Sequence, residues 1–498
     1  GGVLGWRGEV SHLQLRTVER KPQDMLVADT MPMSWRLDEQ ALNAQVGASA
    51  LNLAGAQTRI KEFVLSYPRQ GGGIEQSQIN LAMEITPFAL ADVLARWQPQ
   101  AGWGGDLMVA GHVQLVHRPG ESWQADGRLE RQSGDLSLSE PSIQGNTRQS
   151  LGIKVAVVSL TGRQGVWSLS QQFEGRVLGT VKGAQQVVVK DPSRLPAGGD
   201  AVSGALDLNI GNLRPWGVWM PAGWRLGGQV QAHVAMSGTL MHPGLTGSVK
   251  GQALSVGNAL LGVNLADGVL DLSLDGDHVT LTQLAAHGAS DQSGGLVSVT
   301  GDARLGASNE SPQVKLNVRA DRFALLQRID RRALVSGQGV IEMGEDDLKV
   351  DGQFTVDEGL VDISRSDAPT LGDDVNVINR PGEVASDDAA QDVEAAQGAK
   401  RKLQVNLTVD LGSKLQLKGR GLETLLAGHL RLTTPNGRPA LNGVVRTVSG
   451  KYAAYGQKLT IDHGSITFNG PVENPRLDIL ALRPQSPSAQ TEVKVGVQ

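Results

Sequence analysis

The 498-residue chain contains no cysteine, and this absence removes several classes of structure and chemistry. Disulfide bonds, cysteine-ligated zinc and thiol catalysis are all excluded. The absence suits an oxidising compartment, in which a stray thiol is a hazard. Many cytosolic proteins also lack cysteine, so this feature alone does not locate the protein.

Aromatic residues are scarce as well. Phe, Trp and Tyr together make up 4% of the chain, whereas glycine occurs 63 times. Because large aromatic side chains normally supply much of the buried area of a core, the core here must depend on aliphatic side chains. Val and Leu at alternate positions are expected to supply the buried area of the core, and glycine marks turns and bulges.

The chain has neither a strong net charge nor a long apolar run. Lys and Arg number 46 against 51 Asp and Glu, which gives a formal charge of −5. This balance excludes the basic surface of a nucleic-acid-binding protein, so we expect no nucleic acid partner. No run of about 18 apolar residues predicts a membrane-spanning helix. Both ends resemble strand interiors, and GGVLGWRGEV is unlike a signal peptide, so we expect a fragment of a longer protein.

Catalytic and phosphate-binding motifs are also missing. His112 and His117, the closest histidine pair, are expected to point to opposite faces of one strand. The stretch DLSLDG at 271–276 begins like a calcium loop, but Thr282 stands where a bidentate Glu is required. We therefore expect no enzyme, no catalytic residue, no cofactor and no metal site.

The dominant positive feature is an alternation of apolar and polar residues with period two. Its longest run is LQVNLTVDLGSKLQLKG, residues 403–419. Such strands have one apolar and one polar face, so the chain is predicted to be mostly β. The pattern is compatible with a sandwich, barrels, a β-helix or one long sheet that curls along its axis.

The segment YAAYGQKLTIDHGSITFNG, residues 452–470, shows the pattern clearly. Leu459 and Ile461 alternate before DHG, and Ile466 and Phe468 alternate after it. We interpret this segment as a hairpin with its turn at 462–464.

Three segments depart from the alternation, and each is predicted to contain a short helix, a turn and a Gly-led strand. They cover residues 85–113, 210–234 and 320–343. The first two share a Pro-to-Gly-Trp pattern that ends at Trp103 and Trp224, about 120 residues apart, which indicates a long internal repeat. The tryptophans of these segments either gate the apolar face or anchor the helices to the sheet. The predicted segments are 1–85, two repeats at 86–212 and 213–322 that each open with a short helix, and a C-terminal region at 323–498.

A second repeated phrase supports the repeat. HPGLTGSVKGQALSVGNALLGVNLADGVLDL at 242–272 parallels RPALNGVVRTVSGKYAAYGQKLTIDHGSITF at 438–468. The aligned residues are Pro243, Leu245 and Gly247 with Pro439, Leu441 and Gly443. By contrast, RPGEVASDDAAQDVEAAQGAK at 380–400 is acidic and aperiodic, and is predicted to be a disordered insertion.

The C-terminal third resembles the TamB family of Gram-negative bacteria. The resemblance lies in DEGLVDISRSDAPTLGDDVNVINR at 357–380 and in the motifs Gly-x-Tyr-x-x-Tyr-Gly-Gln, Ile-x-Phe-x-Gly-Pro and Asn-Pro-x-Leu-Asp-Ile between 450 and 479. RIDRRALVSGQG at 328–339 and the final VKVGVQ extend it. The first 200 residues share only the repetitive β character.

This resemblance implies a long antiparallel β-sheet, curled into a half-pipe with a repetitive hydrophobic groove and a few short helices. It further implies a periplasmic bridge that carries phospholipids between inner and outer membranes, anchored in the inner membrane and partnered by the outer-membrane barrel TamA. We expect the N-terminal anchor and the final TamA-binding strands to be missing here. The alternative is an assembly factor for outer-membrane β-barrels and autotransporters that acts by β-strand augmentation.

If the groove exists, the alternating apolar residues should line it, although from sequence alone core packing is equally compatible with each of them. The predicted lining residues are Val230, Val234, Leu270, Leu272, Leu274, Val279, Leu281, Leu403, Val405, Leu407, Val409, Leu411, Leu415, Leu417, Leu430, Leu432, Leu459, Ile461, Ile466 and Phe468.

Overall fold

Most of the described chain is β-strand. A computed structural model describes residues 3–17, 24–69, 73–98, 101–142, 145–221, 223–288, 294–306, 311–364, 402–454, 457–471, 474–483 and 496–497. Strands account for nearly all of the regular structure in these ranges, which confirms the predicted mostly β class. The predicted insertion at 380–400 lies outside the described residues.

The chain divides into two compact units. The first comprises Gly1–Leu254 with Asp271–Asp277, and the second comprises Ser255–Leu270 with His278–Gln498. The finer boundaries expected after residues 85, 212 and 322 stay predictions.

The strands of the first unit follow one another in an antiparallel order. They are β1 (Leu4–Arg16), β2 (Asp24–Leu37), β3 (Ala41–Val46), β4 (Ser49–Leu53), β5 (Ala56–Pro68), β6 (Gln78–Ala89), β7 (Trp103–Gly105), β8 (Met108–His117), β9 (Gln124–Ser133), β10 (Leu136–Ser142), β11 (Gly145–Ser150), β12 (Ile153–Arg163), β13 (Val166–Gly175), β14 (Gly179–Val188), β15 (Ala201–Ile210) and β16 (Arg225–Gly238). The main sheet leaves out β7, β10 and β11, which form a separate small sheet. In the main sheet β9 therefore pairs directly with β12.

Helices are short. Helix α1 spans Leu90–Trp97, and 3-10 turns span Ile74–Gln76, Arg214–Trp219 and Pro435–Gly437. The first two predicted helical segments thus contain an α-helix and a 3-10 turn respectively. Strands β17 (Pro243–Asn258) and β18 (Val263–Gly276) lie where the two units divide.

The second unit has one departure from antiparallel order. Its strands are β19 (His278–Gly288), β20 (Leu296–Arg304), β21 (Gln313–Gln327), β22 (Arg331–Met343), β23 (Asp347–Asp362), β24 (Lys402–Asp410), β25 (Leu415–Gly419), β26 (Leu422–Thr433), β27 (Ala440–Ala454), β28 (Gln457–Pro471), β29 (Arg476–Leu482) and β30 (Gly496–Val497). β23 runs parallel to both β24 and β25, and these two strands then pair antiparallel with β26. A parallel pair requires a long connection, and the chain supplies one between β23 and β24.

The predicted third helix is wrong. Residues 320–327, RFALLQ included, belong to strand β21 and pair with β22. Two β-bulges, between Ala320 and Phe323 and between Ala324 and Leu326, interrupt the alternation. Because each bulge adds a residue, the buried positions 320, 323 and 324 acquire the i, i+3, i+4 spacing of a helix.

The predicted turn at 462–464 is also wrong. β28 continues as one strand from Gln457 to Pro471, and a bulge between Ile461 and His463 occupies the DHG position. The bulge shifts the parity by one residue, so Leu459 and Ile461 lie on the same face as Ile466 and Phe468. All four residues therefore face one side of a single strand.

The aligned glycines of the repeated phrase have the same backbone geometry. Gly247 has φ +149° and Gly443 has φ +135°. A Cβ on Gly247 would lie 2.0 Å from the carbonyl oxygen of His233, and one on Gly443 would lie 2.1 Å from that of His429. Both positions therefore require glycine where the preceding strand approaches closely.

A closed core forms where α1 and the small sheet cover one end of the first unit's main sheet. Its buried members are Ala91, Leu107, Val109, Leu136, Leu138, Leu151, Ile153 and Ala156. Leu107 is completely buried and Val109 is 3% exposed. Trp103 packs against this core, whereas Trp97 is 59% exposed at the end of α1.

Asp135 joins the small sheet to β12. Its carboxylate accepts hydrogen bonds from the backbone N–H groups of Leu136 at 2.9 Å, Gly152 at 2.9 Å and Ile153 at 2.8 Å, and from the Ser150 hydroxyl. Burial opposes its ionisation, but the bonds from Ser150 and from these N–H groups outweigh burial and hold the pKa of Asp135 below its usual value.

Asp135→Asn should therefore destabilise the first unit by about 1–3 kcal/mol at pH 7, because an amide nitrogen would face N–H donors. A carboxyl whose pKa is lowered by folding stabilises above the pKa of the unfolded chain, and this stabilisation is lost as the pH falls through the folded pKa. The difference between the two proteins should accordingly shrink in acid. Urea unfolding of both at pH 7 and near pH 3 measures it, and an equal difference at both pH values would contradict the assigned role.

Candidate functional site: two apolar sheet faces

In the second unit, apolar side chains align across successive strands on one face of the sheet. Leu407 lies opposite Gly352 on β23 and Leu432 on β26. Two residues further along β24, Val409 lies opposite Leu430 on β26. Cross-strand partners in register point to the same face, so these rows form a continuous apolar surface.

The register brings most of the predicted lining residues onto this surface, which we call the second-unit apolar face. They are Val279, Leu281, Leu403, Val405, Leu407, Val409, Leu411, Leu415, Leu417, Leu430, Leu432, Leu459, Ile461, Ile466 and Phe468. Their contact with a ligand stays a prediction.

Part of this face is packed and part is open. Leu411 and Ile461 are each 8% exposed, and Leu411 belongs to a buried cluster with Val335, Val356 and Val445. The remaining members are mostly half-buried. Along β24, Val405, Leu407 and Val409 are half-buried, whereas the residues that point to the opposite face are exposed up to Thr408.

The opposite face is polar and carries hydrogen bonds and ion pairs between strands. Asn406 donates to Asp351 at 2.9 Å, and Arg431 donates to Asn406 at 2.9 Å. Lys315 pairs with Glu342 at 2.8 Å, and this bond raises the pKa of Lys315. Water can solvate the polar face of such a sheet, whereas the apolar face favours contact with other apolar groups.

The first unit has a corresponding surface, which we call the first-unit apolar face. One row runs from Met83 through Val113, Gly127 and Leu160 to Leu169. The neighbouring row ends at Val234, and Val230 pairs with Ile210 on the same side, so both predicted residues of β16 belong to this face.

Three leucines of the first-unit apolar face are unusually open to solvent. Leu160 is 40% exposed, Leu169 is 37% exposed and Leu206 is 39% exposed. Leu160 and Leu169 are direct cross-strand partners, and Leu206 pairs with Gly183 in the adjacent row. Isolated exposed leucines are ordinary, but aligned ones on a sheet face form a patch that has room for an apolar partner.

The remaining predicted residues are Leu270, Leu272 and Leu274. They are half-buried and alternate along β18. Leu270 belongs to the second unit and the other two to the first, so the place of these three residues on either face stays a prediction.

Sequence reasoning missed three polar residues on the first-unit apolar face. Arg131 follows Leu129 by two residues on β9, Gln171 lies two residues after Leu169 on β13, and Gln185 lies on β14. Alternation gives the parity of each residue in its strand, but which parity is inward follows only from the pairing with neighbouring strands.

No group of three or more His, Asp or Glu side chains in the described ranges is arranged to hold a metal ion. None of the helices in the described part of the chain combines the length and the apolar character needed to cross a membrane.

Comparison with known proteins agrees with this architecture. Residues 286–498 match the family described as the TamB C-terminal domain. A curated relative, the translocation and assembly module subunit TamB of Haemophilus influenzae, is 23% identical over 303 residues. That alignment covers 60% of this chain and 22% of the relative, so the chain spans about a fifth of the relative's length. The C-terminal part of the chain, residues 286–498, is therefore similar to the TamB C-terminal domain.

Proposed function

We propose that the two apolar faces bind the acyl chains of phospholipids and that the protein is a non-catalytic segment of a lipid bridge. The observation that carries the proposal is the alignment of Leu160, Leu169 and Leu206, each more than a third exposed, on a face lined almost entirely by aliphatic residues. Exposed aliphatic rows are costly in water, and an acyl chain lying along them would remove that cost.

The chemistry of the faces supports a lipid rather than a rigid apolar ligand. The linings consist mainly of Val, Leu, Ile and Ala with glycine between them, and aromatic residues such as Phe468 are few. A flexible hydrocarbon chain needs area but no fixed geometry, and headgroups can stay in water at the rim.

For the whole protein, we propose anterograde phospholipid transport between inner and outer membranes across the periplasm of a Gram-negative envelope. The inner membrane anchor and the partner TamA belong to this proposal. Support comes from the match of residues 286–498 to the TamB C-terminal domain and from the relative, which is named as a subunit of a translocation and assembly module.

Mass spectrometry of lipids that co-purify with the 498-residue chain tests the proposal. We expect phospholipid at one or more molecules per protein after gel filtration. The control is a soluble β-protein purified from the same cells. A lipid content equal to that control would contradict the proposal.

A specific observation also favours a second function, assembly of outer-membrane proteins by β-strand augmentation. Within the described residues, β29 pairs with β28 along its length, but only Ala481 and Leu482 pair with β30. Among the described residues, the first part of β29 has a strand partner on one side only, and Leu477 there is 61% exposed. An extended client segment could add to such an edge through backbone hydrogen bonds. Photocrosslinks to client strands that are confined to β29 would support this function.

A further inference from the structure

Arg131 is a cation on the first-unit apolar face. In register, it lies opposite Val109, which is 3% exposed. Its Nη2 donates to the carbonyl oxygen of Gly134 at 2.9 Å, and its Nε is buried without a hydrogen-bond partner. No carboxylate among the described residues forms an ion pair with it.

The contrast with Arg128 on the same strand shows how unusual this is. Arg128 points to the opposite, polar face and pairs with Glu130 at 2.7 Å. A guanidinium beside apolar side chains normally has a carboxylate partner, because a desolvated charge without one is strongly unfavourable. Arg131 is half-buried and has no such partner among the described residues, so its guanidinium is available to an external anion.

Two amides lie on the same face. Gln171 lies opposite Gly183, and its Nε2 donates to Oε1 of Gln185 at 2.8 Å. The Oε1 atom of Gln171 is buried without a partner in the described structure. Nε2 of Gln185 donates to the carbonyl oxygen of Ala205 at 3.4 Å. Each amide nitrogen carries two N–H donors, so each retains one beyond these bonds.

The register places the amides near the cation. Leu129 aligns with Val158, and Val158 aligns with Gln171, so two strand spacings, about 10 Å, separate Leu129 from Gln171. Arg131 lies two residues further along β9, about 7 Å. Arg131 and Gln171 are thus about 12 Å apart along the sheet, which one headgroup and two long side chains can span. The open leucines Leu160 and Leu169 lie in the row on the other side of Gln171, and Gln185 lies opposite Leu169 in that row.

We propose that Arg131, Gln171 and Gln185 form a headgroup site on the first-unit apolar face. Arg131 binds the phosphate of a phospholipid, and the amide N–H groups donate to its ester carbonyl oxygens while the acyl chains lie along the neighbouring leucines. A planar guanidinium suits a phosphate because it can donate two parallel hydrogen bonds. This inference rests on the proposed lipid-binding function and adds to it a specificity for phosphate.

The test compares two water-soluble probes with identical short chains, dihexanoyl phosphatidylglycerol and dihexanoylglycerol. Calorimetric titration of the delipidated 498-residue chain should show a preference for the phosphate probe. Arg131→Gln should weaken binding of that probe about tenfold or more and leave dihexanoylglycerol within about twofold. Arg128→Gln is the matched control, with the same change of charge on the opposite face, and should alter neither affinity.

The chain also offers a matched control for the amides, because each inward glutamine is followed by an outward one. Gln171→Leu with Gln185→Leu should weaken binding of both probes, since both carry ester carbonyls. Gln172→Leu with Gln186→Leu should leave both affinities unchanged, because these residues are exposed on the polar face.

The possible failures can be distinguished. If the wild-type chain binds neither probe, the proposed lipid-binding function fails and this inference fails with it. If it binds both probes equally and Arg131→Gln changes nothing, the headgroup site is overturned while lipid binding stands. Should Arg131→Gln not fold, Arg131→Lys retains the charge, and the wild-type preference for the phosphate probe decides by itself.

Discussion

Replacing Leu407 and Leu417 together with arginine should abolish the co-purification of phospholipid with the second unit's apolar face. Leu407 lies between Gly352 and Leu432 in the sheet, and Leu417 lies opposite Thr424 on the same side. Two guanidinium groups would then stand where acyl chains are proposed to lie. Hydrocarbon cannot solvate a charged group, so chains would leave the face or never enter it.

The double variant is expected to fold. Both leucines are half-buried and not enclosed, so a long arginine side chain can bend toward water while its stem covers the neighbouring residues. Circular dichroism and a thermal melt check this point before lipid is measured.

Thr408→Arg with Gln416→Arg provides the matched control. Each residue is a direct neighbour of a substituted leucine and points to the opposite face of the sheet, so the same two charges are added on the other side of the same strands. Lipid content, measured by mass spectrometry on the purified protein, should fall in the first variant to the amount that the first-unit apolar face holds, and stay at the wild-type level in the control. A folded Leu407→Arg, Leu417→Arg protein with wild-type lipid content would remove the second-unit apolar face from the proposed function.

The same pair of variants separates the two proposed functions. Strand augmentation at β29 depends on backbone groups at the sheet edge and not on Leu407 or Leu417. An assembly factor should therefore keep its client crosslinks in the variant that loses lipid.

Alternation predicted the faces of regular strands correctly from sequence. In β24 the inward residues Val405, Leu407 and Val409 follow strict parity, and the structure keeps them in register with β23 and β26. Period two is a property of the pleated backbone itself, so it needs no knowledge of partners.

The same reasoning failed where strands contain β-bulges. In β21 they gave buried residues a helical spacing, and in β28 one bulge resembled a turn. A bulge depends on how two strands pair, which the local sequence does not specify. The residues of a bulged strand that share a face can be assigned only when the register with the partner strand is known.

Features that depend on the pairing of strands far apart in the chain could not be predicted from the sequence either. The pairing of β9 with β12 excludes β10 and β11 from the main sheet, and this detour creates the closed core beneath them. Arg131 illustrates the same limit, because its inward position has meaning only once Val109 is known to lie opposite. In both cases the decisive contact joins residues of different strands.

Leu107→Ala should lower the free energy of unfolding by about 2–5 kcal/mol, whereas Leu432→Ala should cost only about 1 kcal/mol. Leu107 is completely buried in the closed core under α1 and the small sheet, so its truncation leaves a cavity. Leu432 is half-buried on the second-unit apolar face, so water already covers part of its side chain and no closed cavity forms. Guanidinium unfolding of both variants, followed by circular dichroism, measures the two costs. A cost for Leu432→Ala as large as that for Leu107→Ala would show that this face is a packed core, which has no room for a lipid.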